Sequence, residues 1–188
     1  MKTVYSMIRS IDSLSTCQFE TQRLSVMHWD RVAPTGQVST ALHTQLTSML
    51  TPKVLAFLPD AMQLDSNVTG LDKWLNARKT ESELLVIQDK QTTALIGLLI
   101  LTDFEEDGNI EIRLGYLLAE QHWGKGYATE LLQGLVKWSR GRNYPLTLLG
   151  GVEKNNTASA KALRKAGFIA VPKLSTQMTD TYQLSVGF

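Results

Sequence analysis

The chain has 188 residues, of which 43% are hydrophobic and 20% charged, a balance that excludes disordered, collagen-like and disulfide-framework classes. Nineteen Lys and Arg against eighteen Asp and Glu leave a net charge of +1, which offers no electrostatic footprint for nucleic acid. The length fits a single domain over 1–188, with 1–18 expected as an irregular N-terminal segment.

Cys17 is the one cysteine, so an internal disulfide is excluded, and no second Cys or His lies close enough to suggest a metal site. His28, His43 and His122 are dispersed without ligand spacing, so no metal is expected. The longest apolar run, 94–101, is far short of the ~20 residues that span a bilayer, and the first fifteen residues lack an apolar signal core. A cytoplasmic protein without a membrane partner is the expectation.

In chain order, 24–29 is a candidate strand. Val38, Ala41, Leu42, Leu46, Met49 and Leu50 recur at helical spacing over 38–50, with Pro52 beyond as a stop signal. Leu71, Trp74, Leu75 and Arg78 predict a second helix over 67–79. Apolar runs at 84–88 and 94–102, joined by a polar five-residue link, predict an antiparallel hairpin, and Asp107-Gly108-Asn109 signals another turn. Strict alternation over 110–118 then predicts a strand with one buried face, completing a meander.

The strongest helix is predicted at 126–140, where Ala128, Leu131, Leu132, Leu135, Val136 and Ser139 form the core stripe while Glu130, Gln133, Lys137 and Arg140 point outward. A strand at 146–149, a helix at 157–166 closed by Gly167, and strands at 168–171 and 181–186 complete the order. That order implies an α/β (α+β) sheet, antiparallel in its first half and including a parallel crossover later.

The chemistry points to Gln121-His122-Trp123-Gly124-Lys125-Gly126-Tyr127-Ala128, between the third meander strand and the strong helix. Two glycines let the backbone turn tightly, and the loop feeds a helix N-terminus whose unpaired amides and positive dipole end favour a phosphate or pyrophosphate. A Walker loop would require Ser or Thr at Gly126, and a dinucleotide fingerprint would require Gly at Thr129, so neither an NTPase nor an NAD enzyme is supported. A simple strand-to-helix turn remains the plainer reading of the loop alone.

The stretch from Ile112 to Glu130 resembles the acetyl-CoA segment of the GNAT superfamily of N-acetyltransferases, whose loop reads Gln or Arg, x, x, Gly, x, Gly or Ala. Its Trp-Gly-x-Gly-Tyr-Ala form is similar to the branch that acetylates the N-termini of ribosomal proteins. Glu20-Thr21-Gln22-Arg23-Leu24 looks like that branch's opening strand, and Asn156-Thr157-Ala158-Ser159 through Lys165-Ala166-Gly167-Phe168 looks like its second cofactor-contacting helix.

The resemblance implies a GNAT fold with a mixed six- or seven-stranded sheet, flanked by helices and splayed between its fourth and fifth strands. Acetyl-CoA is then the cofactor. Backbone groups of Tyr116, Leu117 and Leu118 would pair with its pantetheine arm. Gln121 opens the loop motif, the amides of Trp123, Gly124, Lys125, Gly126, Tyr127 and Ala128 would hold the pyrophosphate, and Asn156 would bond near the thioester. The acceptor would be a primary amine, foremost a protein N-terminus. A small amine (polyamine, amino acid or aminoglycoside) and a non-catalytic acyl-CoA-binding module are the alternatives, in a monomer or homodimer.

An α-amino group of pKa about 8 is roughly 10 to 20% neutral at pH 7, so it requires less help from a base than a lysine side chain. Arg113 occupies the position where the family often places a base Glu. Glu111, on the same strand face, is the alternative base or else a surface partner of Arg113. Ser159 is either a hydroxyl near the departing sulfur or a residue bonding the helix start, and Tyr116 and Tyr127 are candidate acids. Trp29 and Trp74 are read as core.

Overall fold

The computed structural model describes residues 14–35, 37–64, 70–106 and 108–187. Its strands are β1 (Phe19–Glu20), β2 (Leu24–His28), β3 (Glu83–Asp89), β4 (Leu95–Glu106), β5 (Asn109–Leu118), β6 (Leu146–Glu153), β7 (Ile169–Ala170) and β8 (Thr179–Val186). Its helices are α1 (Trp29–Val32), α2 (Thr40–Met49), α3 (Pro52–Leu55), α4 (Gly70–Glu81), α5 (Tyr127–Arg140) and α6 (Thr157–Lys165). The strands form one mixed sheet in the order β1-β2-β3-β4-β5-β6-β8-β7. The expected meander is present as β3-β4-β5, and β5–β6 is the parallel pair. The strand expected at 168–171 is present as the two-residue β7, and the two-residue β1, too short to leave a periodic signal, raises the count to eight.

The alternation of β5 divides the core. Ile110, Ile112, Leu114 and Leu118 join α5 and α6 in one apolar cluster, whereas Leu117 and Ala119 join α1 to α4 in a second cluster on the opposite face. The second layer covers β2 to β4 and reaches β5 only near its end, at Leu117, leaving Arg113 and Gly115 exposed. Cys17 is buried in the first cluster, not lost in an irregular tail, and burial is the main reason its thiol is pushed up to about 12. It is thereby inert. Residues 1–13 of the expected irregular segment, 67–69 of the predicted second helix and Asp107 of the predicted turn lie outside the described residues.

α5 buries Leu131, Leu132, Leu135, Val136 and Ser139 as the stripe predicts, and also Gly134 and Trp138. Gly134 is a true close approach, because a Cβ there would stand 2.6 Å from a Phe19 ring carbon and 2.7 Å from the Thr21 methyl. β1 can lie on this helix only because the side chain is missing. Glu130 does not point to solvent as the helical wheel suggests; Thr21 and Arg23 hold it.

Elsewhere, Trp29 leaves the predicted strand to open α1, where the His28 imidazole accepts from the Asp30 N–H at 3.4 Å. Pro52 does not simply end a helix; it sits in the first turn of α3, whose N-cap hydroxyl comes from Thr51. Trp29 and Trp74 are core residues as read.

Leu132 has no exposed surface. Leu132→Ala is expected to cost about 3 kcal/mol through the cavity it leaves, measured as a lowered urea midpoint. An unshifted midpoint would place the wrong face of α5 in the core.

Candidate active site

The site begins where a ladder stops. β5 and β6 pair from Ile110↔Leu146 to Leu114↔Gly150 and no further, although β5 continues to Leu118 and β6 to Glu153. Each strand stays locked to its other neighbour over that length, β5 to β4 through Leu118 and β6 to β8 through Glu153. The sheet therefore opens between them.

The phase of the ladder decides which backbone groups face the opening. The Ala119 N–H donates to the Ile96 carbonyl at 3.0 Å, and alternation from there turns the N–H and C=O of Leu117 toward β4 and those of Tyr116 and Leu118 toward the gap. This corrects the expectation for Leu117, which contributes its side chain to the cavity wall and not its backbone. The Leu118 carbonyl is already occupied by the Trp123 indole N–H at 2.8 Å.

A cavity of about 740 Å³ occupies the opening. One side is formed by Gly124, Gly126, Tyr127, Ala128 and Thr129 with Asn156 and Ser159. The other side is apolar, with Val54, Phe57, Leu58, Pro59, Met62 and Ile100. Gln63 fastens that apolar wall by donating from Nε2 to the carbonyls of Leu55 and Leu58, and Trp74 fastens it by donating from Nε1 to the Met62 carbonyl.

The loop after β5 passes through a 3₁₀ turn at Glu120–His122, then through Gly124 at φ +72° and Gly126 at φ +82°. These left-handed values bend the chain sharply into α5 and admit an L side chain only with strain. Among described helices with a resolved cap, α2, α3 and α6 receive a side-chain hydrogen bond from Ser39, Thr51 and Asn156, whereas α5 has none. The first-turn amides of a fourteen-residue helix thus face the cavity without a protein acceptor, the arrangement that suits an anion. Trp123 is half exposed above them. Gln121 and Lys125 are exposed and stand outside the cavity lining.

Arg23 locks this loop in place. Its Nε donates to Glu130 Oε2 at 2.7 Å, its backbone N–H to Oε1 at 2.7 Å, and its Nη1 to the Lys125 carbonyl at 3.1 Å, while the guanidinium covers the Tyr127 ring at 4.1 Å. The Thr21 hydroxyl adds a bond to Glu130 at 2.6 Å. Burial pushes the Glu130 carboxyl up, but these hydrogen bonds and the Arg23 charge outweigh it and hold it below the usual range. The opening-strand signature has its physical reason here. His122, edge-on to Tyr127 at 5.5 Å, is held below the ordinary imidazole value by burial and by Lys125, with Asp89 opposing, so it is neutral at pH 7.

The Tyr116 hydroxyl and Ser159 Oγ lie 3.0 Å apart inside the cavity. Burial raises the Tyr116 phenol above its ordinary value despite the Ser159 bond, so it stays protonated and can donate. The Asn156 side-chain oxygen accepts from the Ser159 N–H at 3.1 Å and caps α6, which leaves its amide nitrogen as the ligand-facing donor. Glu111 is placed elsewhere. It accepts from Arg113 Nε at 2.9 Å, does not line the cavity, and sits about 16 Å along the strand from Tyr116, where the β5–β6 ladder is still closed. Arg113 lines the cavity and stacks on Phe104 at 4.5 Å. Among the described residues no His, Cys, Asp or Glu group is arranged to hold a metal ion, and no helix is long and apolar enough to cross a membrane.

Sequence reasoning missed Glu153, the one carboxylate among the cavity-lining residues, because it follows a short strand whose predicted end was four residues too early. It also missed the apolar wall after α3. No periodicity marks that segment.

A sheet opened at its parallel junction beneath an uncapped helix defines the GNAT class of fold. The chain belongs to that family: a family model described as an acetyltransferase (GNAT) domain matches residues 39–169. An uncharacterized N-acetyltransferase of Bacillus subtilis (strain 168), YjdG, is 27% identical over 117 residues, 62% of each chain, so this chain spans about three-fifths of that relative's length. Two solved structures share the fold. One is RimL, a ribosomal L7/L12 alpha-N-protein acetyltransferase in complex with coenzyme A, at 16% identity and TM-score 0.61, covering 88% of this chain and 96% of that one. The other is a spermidine N-acetyltransferase from Vibrio cholerae in complex with CoA and spermine, at 16% identity and TM-score 0.60, covering 87% and 94%.

Gly126→Val is expected to lower affinity for coenzyme A more than tenfold in calorimetric titration while far-ultraviolet dichroism stays native; unchanged affinity would refute the phosphate assignment. Because the Glu130 pKa is depressed in the folded state, its contribution is complete above the unfolded value of 4.5 and is lost as pH falls through the lower folded value. Glu130→Gln should therefore lower the melting temperature at pH 7 and leave little difference from wild type at the acid end of the transition. A difference independent of pH would show that the carboxylate charge is not what fastens the loop.

Proposed function

We propose that the protein transfers an acetyl group from acetyl-CoA to a primary amine, foremost the α-amino group of a protein N-terminus of the ribosomal-protein type. The observation that carries this reading is the end of the β5–β6 ladder at Leu114↔Gly150, directly beneath the uncapped N-terminus of α5. The residues present fit the cofactor. The amides of the loop and of the first turn of α5 suit a pyrophosphate, and the exposed edge of β5 at Tyr116 and Leu118 suits an amide-bearing arm laid along it as an added strand.

The strand also supplies an oxyanion donor. The Tyr116 and Leu118 N–H groups face the gap, where one of them can bond the thioester oxygen as it becomes negative. The Tyr116 hydroxyl, kept protonated by burial and bonded to Ser159, donates to the sulfur as coenzyme A leaves. The amine enters from the open face over Gly115, where a built Cβ would meet nothing within 4 Å. The apolar wall there suits an acceptor with an uncharged body next to its amine, and among the described lining residues it offers no acidic array for a polyamine.

The test is a thiol-release assay with acetyl-CoA against ribosomal-type N-terminal peptides, spermidine and free amino acids. Peptides should turn over fastest. Turnover confined to small amines would overturn the acceptor assignment, and binding of coenzyme A without turnover of any amine would overturn the enzyme assignment. Tyr116→Phe is expected to reduce kcat roughly 100-fold without changing coenzyme A affinity.

A further inference from the structure

Resting on the acetyltransferase reading, we propose that Glu153 receives the proton of the incoming α-ammonium group. Glu153 is the last residue of β6 and lines the cavity on the far side of the opening from Tyr116. Its direction follows from its neighbours. Val152 is packed in the α5/α6 cluster, a Cβ on Gly150 would meet Leu163 of α6, and one on Gly151 would meet the Thr179 methyl on the opposite face. Glu153 therefore shares its face with Gly151, Thr179 and, across the gap, Arg113, Gly115 and Leu117. This is the uncovered face through which the amine enters.

Glu153 is half-buried, its backbone carbonyl accepts from the Asn156 N–H at 2.8 Å, and its carboxylate has no partner among the described residues. By contrast, Glu111 is tied to Arg113 and Glu120 to Thr51 and Lys53. The charged and titratable groups lining the cavity with Glu153 are Arg113, Tyr116, His122 and Tyr127, with Lys161 and Lys165 from α6; Asp180, opposite Val152 on β8, lies on the other face, 4.0 Å from Lys154.

The step balances as follows. The carboxylate takes one proton from the ammonium. The freed nitrogen lone pair forms the C–N bond while the carbonyl π pair moves to oxygen. Collapse of the intermediate returns that pair and breaks the C–S bond with its electrons on sulfur. Of the two protons left on the nitrogen, one passes to sulfur through the Tyr116 and Ser159 hydroxyls and the other stays on the amide product, and Glu153 releases its proton to solvent.

The test is the pH profile of kcat/KM for Glu153→Gln and Glu153→Asp, with coenzyme A affinity and melting temperature measured on the same preparations. Without the carboxylate, catalysis depends on the neutral fraction already in solution. Glu153→Gln should lose about tenfold at pH 7 with an α-amine of pKa near 8, and the loss should vanish by about pH 9. With an amine of pKa near 10 the loss should be larger and persist at about pH 9. Glu153→Asp should retain part of the activity, and both variants should bind coenzyme A and melt as wild type does. A deficit that ignores pH and amine pKa, or none at all, would overturn the role while wild type remained active. A wild type inactive on every amine would overturn the acetyltransferase reading and this role with it.

Discussion

A strand has two edges, and each can be satisfied only where a neighbour keeps step with it. β5 is held on one edge by β4 to its last residue, and β6 by β8 to its last residue, so the two must part once their own ladder ends at Leu114↔Gly150. Everything functional in the molecule depends on that parting. It leaves the Tyr116 and Leu118 amides without sheet partners, and unpaired backbone groups in a partly enclosed place are costly unless water or a ligand satisfies them. The uncapped first turn of α5 adds a second set of open donors beside the first.

The two apolar clusters convert this opening into a site with distinct sides. α5 and α6 pack against one face and bring the phosphate-loop amides, Asn156 and Ser159 to the gap. α1 to α4 cover the other face over β2 to β4 and the end of β5 at Leu117, and the segment after α3 closes the cavity with apolar side chains. A residue's role then follows from the parity of its position. On β5, even-numbered Tyr116 belongs to the face packed by α5 and α6, and odd-numbered Arg113 and Gly115 to the opposite, exposed face.

Legibility in the sequence tracked how much of the signal was local. α5 was readable because five positions of its predicted stripe, Leu131, Leu132, Leu135, Val136 and Ser139, are buried at helical spacing, and β5 because its alternation is nearly perfect. The turn into α5 was readable because a tight turn into a helix requires glycine, here Gly124 and Gly126 at positive φ. β1 left no trace, since it is two residues long and exists through contact with Gly134, more than a hundred positions away. Glu130 was misread for the same reason, its partners lying at Thr21 and Arg23. The orientation of the Leu117 backbone depends on ladder phase, which is set between strands. Glu153 was hidden by a strand end judged from composition, whereas pairing with β8 extends β6 through Gly150 and Gly151.

The tie between Arg23 and Glu130 also bears on how the molecule acquires its site. It closes a loop of more than a hundred residues, so the Arg23 side chain finds this partner only once α5 lies against β1 and β2, although β1 itself pairs with β2 and β2 with β3. Contacts of such long range form late, and the cofactor loop is the part they stabilise. Ligand binding and completion of folding are therefore coupled: a chain still on the ribosome with α5 unmade presents no anion site, and a finished chain gains stability in proportion to the logarithm of cofactor concentration above its dissociation constant. Any anion held at the start of α5 would thereby also raise the fraction of chains in which Arg23 and Glu130 remain fastened.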